Sequence, residues 1–396
     1  MKCILFNKNT PICLLEYNTK YNAIEKIYET FNINYAPLSV FNASKNTAKN
    51  LAQELNNWFR NRGIPSWRKD LEKLLQELNV SSTEELLNKA YALSLSDQYW
   101  IKEQTSSVTW SDINFFEHDF EYKGFLQASL SSSSNSNLKP AELFSPNNTT
   151  DGMLQKGWIL EDGKRILVKG IYQTSREEPI NEWLASEICN RLGFFHCNYY
   201  IDIVNGKLVS KCEDFISSDE EIISAFDVFN FKKKPNNISD FEHYINILEE
   251  QNVPNARENV ENMFILDYII MNIDRHLKNF GIIRNVNSLK WISVAPIFDN
   301  GESMQCDKVT YEMNFFNGHG KFFTSTNKNY DDFLKYIKDF SRINLSKLDG
   351  LVDNYRFVLK KYQCFTDSSD ERIDKLCFGL DNRISLLEQY IKKGQI

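Results

Sequence analysis

The chain has 396 residues, with 46 Lys and Arg against 53 Asp and Glu, which gives a net charge of −7. This length exceeds what one hydrophobic core usually organises, so we expect two or three structural units. The negative balance disfavours general attraction to nucleic acid or to an anionic membrane. No apolar run reaches the roughly 18 residues that a membrane-spanning helix needs.

The eight cysteines contain no Cys-x-x-Cys pair, and several stand in apolar surroundings. This pattern favours buried free thiols in a reducing compartment. We therefore expect a cytoplasmic protein, and the same sequence is compatible with an effector secreted without a cleaved signal. The cysteines are Cys3, Cys13, Cys189, Cys197, Cys212, Cys306, Cys364 and Cys377.

The N-terminal part, residues 1–115, is predicted to be a hairpin followed by a mainly helical region. Residues 1–15 contain two short apolar runs separated by a turn-forming segment, which predicts a β-hairpin. Four leucines between residues 67 and 78 share one helical face. Ser82 stands three residues before Glu85, which is the spacing of a capping box.

Residues 58–70 interleave basic side chains with Trp58 and Trp67. Such a pattern suits the stacking of bases in RNA. It is also typical of the solvated edge of a helix-turn-helix unit. We favour the solvated edge, and we expect no direct contact with nucleic acid.

A polar, low-complexity run at residues 129–137 predicts a flexible linker over residues 116–140. The next segment, residues 145–158, is rich in Ser, Thr, Asn, Asp and Gly and precedes a strand-like run. This segment is predicted to be a loop that covers the phosphate groups of a bound cofactor. Gly152 and Lys156 are among the residues predicted to contact that cofactor.

Residues 141–235 are predicted to form a small sheet with one helix. Short apolar runs alternate with turn signals, a helical pattern covers residues 181–192, and Asn205–Gly206 marks a hairpin. If a nucleotide binds beside this sheet, its base is expected near a hinge at residues 212–218. Residues 236–396 are predicted to be mainly helical, from patterns at 239–250, 257–271, 331–341 and 369–392.

The most informative motif is NIDRHLKNFG, residues 272–281, in which Asp274 stands five residues before Asn279. In the catalytic loop of kinases, an Asp accepts the proton of the attacking hydroxyl and an Asn five positions on binds magnesium. Asp299 follows an apolar run and is predicted to lie at a strand end, as a second metal ligand. His276 is predicted to orient the loop by hydrogen bonding.

Two further residues complete this pattern. Lys169 ends an apolar, strand-like run, and Glu182 lies near the start of the next helical pattern. A lysine on a strand followed by a glutamate on a helix is how kinases hold the nucleotide phosphates. No single motif is specific, but their order along the chain is the order that a kinase requires.

Together, the motifs LVKG, NE, DRHLKNFG and APIFDNGES resemble the HipA-like serine/threonine kinases, which are distantly similar to phosphatidylinositol 3/4-kinases. The resemblance covers roughly residues 140–310. The N-terminal part is similar to a CtkA-related branch of that family. The resemblance implies an α+β fold with two lobes, a small mixed sheet in the N-lobe and helices in the C-lobe. The additional N-terminal region described above precedes these lobes.

The same resemblance implies ATP and Mg²⁺ as cofactors. Asp274 is then the catalytic base, Asn279 and Asp299 bind Mg²⁺, and Lys169 contacts an ATP phosphate. It further implies autophosphorylation in or near the phosphate loop, for which the candidates are Ser145, Thr149 and Thr150.

Simpler interpretations accompany each of these residues. Asp274 and Lys278 have the spacing of a solvated ion pair on a helix, Lys169 could be an exposed strand-end lysine, and Glu182 could be a charge favoured by a helix N-terminus. For function, we predict a protein kinase with a protein substrate. The alternatives are a small-molecule or lipid kinase, and a non-catalytic regulator that binds a partner or DNA within a toxin and antitoxin pair.

Overall fold

The computed structural model describes residues 1–46, 49–66, 68, 71–77, 79–120, 122, 143–150, 155–323 and 326–394. In this part of the chain, several small sheets alternate with helices. The strands are β1 Lys2–Asn7, β2 Thr10–Asn18, β3 Ala23–Thr30, β4 Tyr99–Glu103, β5 Lys156–Glu161, β6 Lys164–Lys169, β7 Tyr199–Val204, β8 Lys207–Glu213, β9 Glu220–Ser224, β10 Gly281–Asn285, β11 Trp291–Val294, β12 His319–Lys321 and β13 Asn327–Asn329.

The helices are α1 Leu38–Ser44, α2 Leu51–Asn61, α3 Leu71–Glu77, α4 Thr83–Lys89, α5 Trp110–Ile113, α6 Glu178–Leu192, α7 Ala225–Phe229, α8 Asp240–Glu250, α9 Ala256–Ile270, α10 Tyr330–Leu334, α11 Leu351–Lys361 and α12 Asp370–Gly394. None of the described helices is both long enough and apolar enough to cross a membrane.

The N-terminal region contains a four-stranded sheet in the order β3-β2-β1-β4, with all neighbouring strands antiparallel. The predicted β1–β2 hairpin is confirmed and the region contains helices α1–α5, but it also contains two strands, β3 and β4, that were not predicted. The edge strand β3 was missed because most of its side chains are polar and face solvent, so it shows no apolar run. Strand β4 was missed because its partner β1 lies far away in the sequence.

The predicted capping box is present at α4 in a modified form. The Ser82 hydroxyl accepts a hydrogen bond from the backbone N–H of Glu85 at 3.2 Å. The Glu85 carboxylate accepts from the backbone N–H of Ser81, one residue before the cap. Both ends of the motif therefore stabilise the helix start.

The segment from residue 58 to 70 is only partly a solvated edge, because Arg60 is half exposed whereas Arg62 and Arg68 point inward. Arg62 forms an ion pair with Asp97 at 2.6 Å, and both side chains are largely buried. Arg68 is buried and donates to the side-chain and backbone oxygens of Thr150. These contacts tie the N-terminal region to the residues just before β5.

The sheet that follows, in the order β5-β6-β8-β7, is antiparallel throughout and not mixed as predicted. Asn205 and Gly206 both adopt positive φ angles and join β7 to β8, which confirms the predicted hairpin. Helix α6 has Pro179 in its first turn and ends at Gly193 in the left-handed conformation. It contains the predicted helix at 181–192.

The largest core is formed by α6, α8, α9, α11 and α12. The patterns at 239–250, 257–271 and 369–392 correspond to α8, α9 and α12, so those predictions are confirmed. The predicted helix at 331–341 is confirmed only over its first four residues, because α10 ends at Leu334. Beyond it, side chains compete with the helix for backbone N–H groups: Glu261 accepts from Lys338, and Asp339 accepts from Ser341.

The N-terminal sheet also contacts the three-stranded sheet β11-β10-β9. The backbone N–H of Ile222 in β9 donates to the carbonyl oxygen of Ser96 at 2.9 Å. Buried Arg284 in β10 pairs with Glu221 at 2.7 Å and donates to the Tyr99 hydroxyl at 3.1 Å. The two sheets are thus joined through buried polar contacts.

All eight cysteines are free, and seven of them are buried. Burial raises the pKa of Cys13 to about 12 and that of Cys377 to about 11. The prediction of buried free thiols is confirmed for these seven, whereas Cys364 is exposed. The predicted linker run at 129–137 lies outside the described residues.

Candidate active site

Lys169, at the end of β6, brings three of the predicted residues together. Its Nζ atom pairs with a carboxylate oxygen of Glu182 on α6 and lies 2.5 Å from Oδ1 of Asp299. Burial acts to lower the pKa of Lys169, but the two carboxylates outweigh it and raise the pKa above its ordinary value. The lysine is therefore a buried, charged bridge between a strand, a helix and a loop.

Glu182 connects the same helix to the loop that follows Asp299. Its side chain is 1% exposed, and its second oxygen accepts a hydrogen bond from the backbone N–H of Asn300 at 2.9 Å. The ion pair with Lys169 explains the position of the Glu182 carboxylate better than attraction to a helix N-terminus does. The interpretation of Lys169 as an exposed strand-end lysine is likewise wrong.

Asp299 does not lie at a strand end, since β11 stops at Val294. The intervening residue Ile297 instead exchanges backbone hydrogen bonds with Phe195 and Cys197, which follow α6. Asp299 itself has a φ of 59°, in the left-handed region. Backbone pairing with the segment after α6 therefore places this carboxylate beside Lys169.

The Asp299 carboxylate is ionised. Burial acts to raise its pKa, but the charge of Lys169, followed by that of Lys156, lowers the pKa well below its ordinary value. Lys156 begins β5 and stands opposite Lys169 in the strand register. Two lysines therefore meet the carboxylates of Glu182 and Asp299 at this end of the sheet, and the formal charges of the four groups balance.

The second half of the site is the loop between α9 and β10. The side-chain amide of Asn279 donates to the carbonyl oxygen of Asp274 at 2.9 Å, so the predicted pair is held together. The partner of the Asp274 carboxylate is Lys321, at 2.5 Å, and not Lys278 as in the simpler interpretation. A third of the Asp274 side chain is exposed, which leaves it accessible to a substrate.

His276, which was predicted to orient the loop, forms a hydrogen bond within it. Its Nδ1 accepts a hydrogen bond from the backbone N–H of Lys278 at 3.2 Å. Burial lowers the pKa of His276, so the ring is neutral near pH 7. Its Nε2 lies 3.6 Å from the Asp274 carboxylate, a contact between a neutral ring and a charge.

Sequence reasoning missed Arg275, which joins the two halves. The guanidinium is fully buried and donates to the carbonyl oxygens of Asn279 at 2.8 Å and of Phe298 at 2.6 Å. It also donates to the side chain of Asn300 at 2.5 Å and forms a buried ion pair with Asp267 on α9. The only sequence signal was an arginine directly after the proposed base.

The donor atoms suit magnesium. Asp299 offers a carboxylate, and Asn279 offers its amide oxygen because its Nδ2 is engaged by Asp274. Mg²⁺ prefers such oxygen ligands and usually retains several waters, so two protein ligands are sufficient. Within the described residues no group of three or more His, Cys, Asp or Glu side chains forms a metal cluster of its own.

The candidate phosphorylation sites Ser145, Thr149 and Thr150 lie shortly before β5 in the chain. Gly152 lies outside the described residues. Ser145 and Thr150 are buried, and the Thr150 hydroxyl donates to the carbonyl oxygen of Asn147 at 3.0 Å. The Thr149 hydroxyl donates to the carbonyl oxygen of Pro146 at 2.9 Å. Phosphorylation of the two buried hydroxyls would require this segment to leave its present position.

Comparison with known proteins adds independent information on the segment that carries these residues. Residues 155–335 match the model of the HipA-like kinase family. This part of the chain is thus similar to the HipA-like kinases, which confirms the predicted resemblance. The matched segment includes Lys169, Glu182, Asp274, Asn279 and Asp299.

A curated relative is the serine/threonine-protein kinase CtkA of Helicobacter pylori strain J99. It is 24% identical over 229 residues, which cover 50% of this chain and 70% of that protein. The crystal structure of the Helicobacter pylori proinflammatory kinase CtkA is also similar, with a TM-score of 0.46 and 18% identity. That likeness covers 61% of this chain and 95% of CtkA.

A third similar protein is HipA of Shewanella oneidensis MR-1, solved with HipB and operator DNA as a toxin-antitoxin system. The TM-score is 0.49 at 12% identity, over 98% of this chain and 97% of that one.

Proposed function

We propose that this chain is an ATP- and Mg²⁺-dependent kinase that transfers the γ-phosphoryl group to a serine or threonine hydroxyl of a protein. The observation that carries the proposal is the pair of Lys169 contacts, with Glu182 and with Asp299, beside a loop that holds Asp274 and Asn279 together. The match of residues 155–335 to the HipA-like kinase family supports the same conclusion.

In this proposal the sheet β5-β6-β8-β7 with α6 is a small lobe, and the helical core is a large one. ATP binds between them, with its base near residues 212–218. Lys169 and Lys156 face the phosphates, and Asn279 and Asp299 hold Mg²⁺, which when bound neutralises charge on the phosphate oxygens.

Asp274 acts on the substrate and not on the nucleotide. Its carboxylate orients the hydroxyl and accepts the hydroxyl proton as the oxygen attacks phosphorus. Arg275 fixes the backbone on both sides of the site, so the base and the metal ligands keep a constant separation. Such pre-organisation is the main contribution that a kinase makes to phosphoryl transfer.

The test is incubation of the purified protein with γ-labelled ATP and Mg²⁺, alone and with cell extract, followed by separation of protein, lipid and small molecules. Label in protein Ser or Thr that disappears in the Asp274→Ala variant is the expected result. Label that appears only in lipid or in small molecules would redirect the assignment to those substrates. Absence of transfer, in the presence of ATP binding, would contradict the kinase assignment.

A further inference from the structure

Lys321 approaches the proposed base from a part of the chain that no motif predicted. It is the last residue of β12, and its Nζ lies 2.5 Å from Oδ1 of Asp274. Both side chains are about one-third exposed, so the pair lies at the open side of the site. Lys169, by contrast, is enclosed between its two carboxylate partners.

Close backbone packing holds β12 next to the loop that carries Asp274. A Cβ atom on Gly320 would lie 2.6 Å from the carbonyl oxygen of Asn272, so only glycine fits there. The Tyr330 hydroxyl donates to the same carbonyl oxygen at 2.9 Å. The position of Lys321 therefore follows from a close backbone contact and does not depend on its ion pair alone.

An ammonium group that is paired with a general base hinders the reaction, and this obstruction is the cost of the pair. A hydroxyl that is to be deprotonated must approach the Asp274 carboxylate, and in this structure Lys321 occupies one of its oxygens. The cost is removed if the ammonium turns towards the phosphoryl group when nucleotide and substrate arrive. Charge on the transferred phosphoryl oxygens is what cations in such sites stabilise.

We propose that Lys321 is a further catalytic residue, which contacts the γ-phosphoryl group during its transfer and rests on Asp274 when no nucleotide is bound. The inference depends on the proposed function. The bond between γ-phosphorus and the β,γ-bridging oxygen breaks, and its electron pair stays on ADP. The substrate oxygen forms the new bond to phosphorus, and its proton passes to Asp274. Lys321 stays protonated throughout.

The decisive variant is Lys321→Met, compared with Lys328→Met as a matched control. Lys328 lies on β13 of the same hairpin, but its ammonium stacks on the rings of Phe322 and Tyr336, away from the base. We expect Lys321→Met to lower kcat by roughly 10²–10³-fold, the effect of removing one charge-stabilising donor. The KM for ATP should stay unchanged, and Lys328→Met should resemble the wild type.

A binding measurement separates a catalytic role from a structural one. ADP with Mg²⁺ and aluminium fluoride mimics the transferred group, and its affinity should fall in Lys321→Met while the affinity for ADP alone is retained. Lys321→Arg should recover part of both the rate and the affinity for the mimic. Gly320→Ala, which forces β12 away from the loop, should lower kcat although Lys321 is present.

The outcomes are distinct. Equal kcat values in Lys321→Met and Lys328→Met would overturn the inference. An equal loss of affinity for ADP and for the mimic in Lys321→Met would also overturn it, because that result would mean that Lys321 only stabilises the fold. An inactive wild-type protein would overturn the proposed function and this inference with it. An active wild type with an unaffected Lys321→Met would overturn only the inference.

Discussion

Arg275 and Asp267 form a fully buried ion pair directly beneath the candidate active site, with 2.9 Å between Nη2 and Oδ1. Asp267 comes from α9, whereas Arg275 belongs to the loop that carries the proposed base. Burial raises the pKa of Asp267, and the arginine opposes that shift. The pair thus anchors the loop of the proposed base to the largest core among the described residues.

Arg275→Met should destabilise the protein by about 3–5 kcal/mol, because it leaves a buried carboxylate without its partner. The double variant Arg275→Met/Asp267→Asn should recover part of this loss. Urea unfolding measures both. Lys392→Met, which breaks an exposed pair with Glu388, is the control and should cost less than about 1 kcal/mol. Similar losses of stability in Arg275→Met and Lys392→Met would contradict the anchoring role of Arg275.

Asp299→Ala should lose Mg²⁺-dependent ATP binding as well as activity, whereas Asp274→Ala should lose activity but keep binding. The difference follows from the roles proposed, since one residue is a metal ligand and the other acts on the substrate hydroxyl. Thermal shift with Mg-ATP is the measurement, and saturation at about 100 times the Kd should add about 2.7 kcal/mol of stability. An unchanged shift in Asp299→Ala would contradict its assignment.

The stability of the protein should depend on pH through Glu302. Burial, followed by the charges of Glu178, Asp274 and Asp307, raises its pKa to about 7, while a hydrogen bond from Gln173 opposes the shift. The folded state then binds more protons than the unfolded one, so this group lowers stability as the pH rises from about 4.5 to about 7. Glu302→Gln should remove that loss.

Unfolding free energies of wild type and Glu302→Gln at pH 5 and pH 8 test this. The unfolding free energy of the variant minus that of the wild type should be larger at pH 8 than at pH 5. A difference that stays constant, or changes in the other direction, would show that Glu302 is not protonated near neutrality in the folded state.

A truncated chain that starts at residue 140 should aggregate or melt at a lower temperature. It would lose Tyr99, the partner of buried Arg284, and Arg68, the partner of Thr150. It would also expose apolar surface that the N-terminal sheet now covers. Light scattering and thermal melting check this, and a soluble, monomeric and fully active truncated chain would show that the N-terminal region is a separate module.

Incubation with Mg-ATP should produce a phosphorylated species within residues 129–150, absent in Asp274→Ala. A phosphate adds a charge of about −1.5 to −2. Next to the nucleotide it should lower the affinity for ATP. Ser145 and Thr150 are buried in this structure, so their modification should also free this segment. Mass spectrometry locates the phosphate, and a modified protein that binds ATP normally would contradict the regulatory role.

The long helices could be predicted because their apolar residues recur with a helical period, as in α8, α9 and α12. The meeting of Lys169, Glu182 and Asp299 could also be anticipated, since the three stand in the order that a kinase uses. The contacts that could not be predicted from the sequence join residues that lie far apart in the chain. Strand β4 finds its partner β1 across most of the N-terminal region, with no local signal for the pairing.

Lys321 illustrates the same limit within the site. It lies 47 residues beyond Asp274, on a three-residue strand whose sequence, His-Gly-Lys, has no apolar periodicity. Arg275 was missed for a different reason, because arginine is rarely buried and no sequence pattern marks this exception. Both residues are recognised only from their three-dimensional partners.

The distribution of thiols has a practical consequence. Seven cysteines are buried and Cys364 alone among the eight is exposed, in the turn between α11 and α12. A maleimide dye added to the unmodified protein should therefore attach at one place. Ser368, four residues on, hydrogen bonds to Glu177 at the start of α6, the helix that carries Glu182. Fluorescence from Cys364 would report movement of that helix upon nucleotide addition, without any change to the sequence.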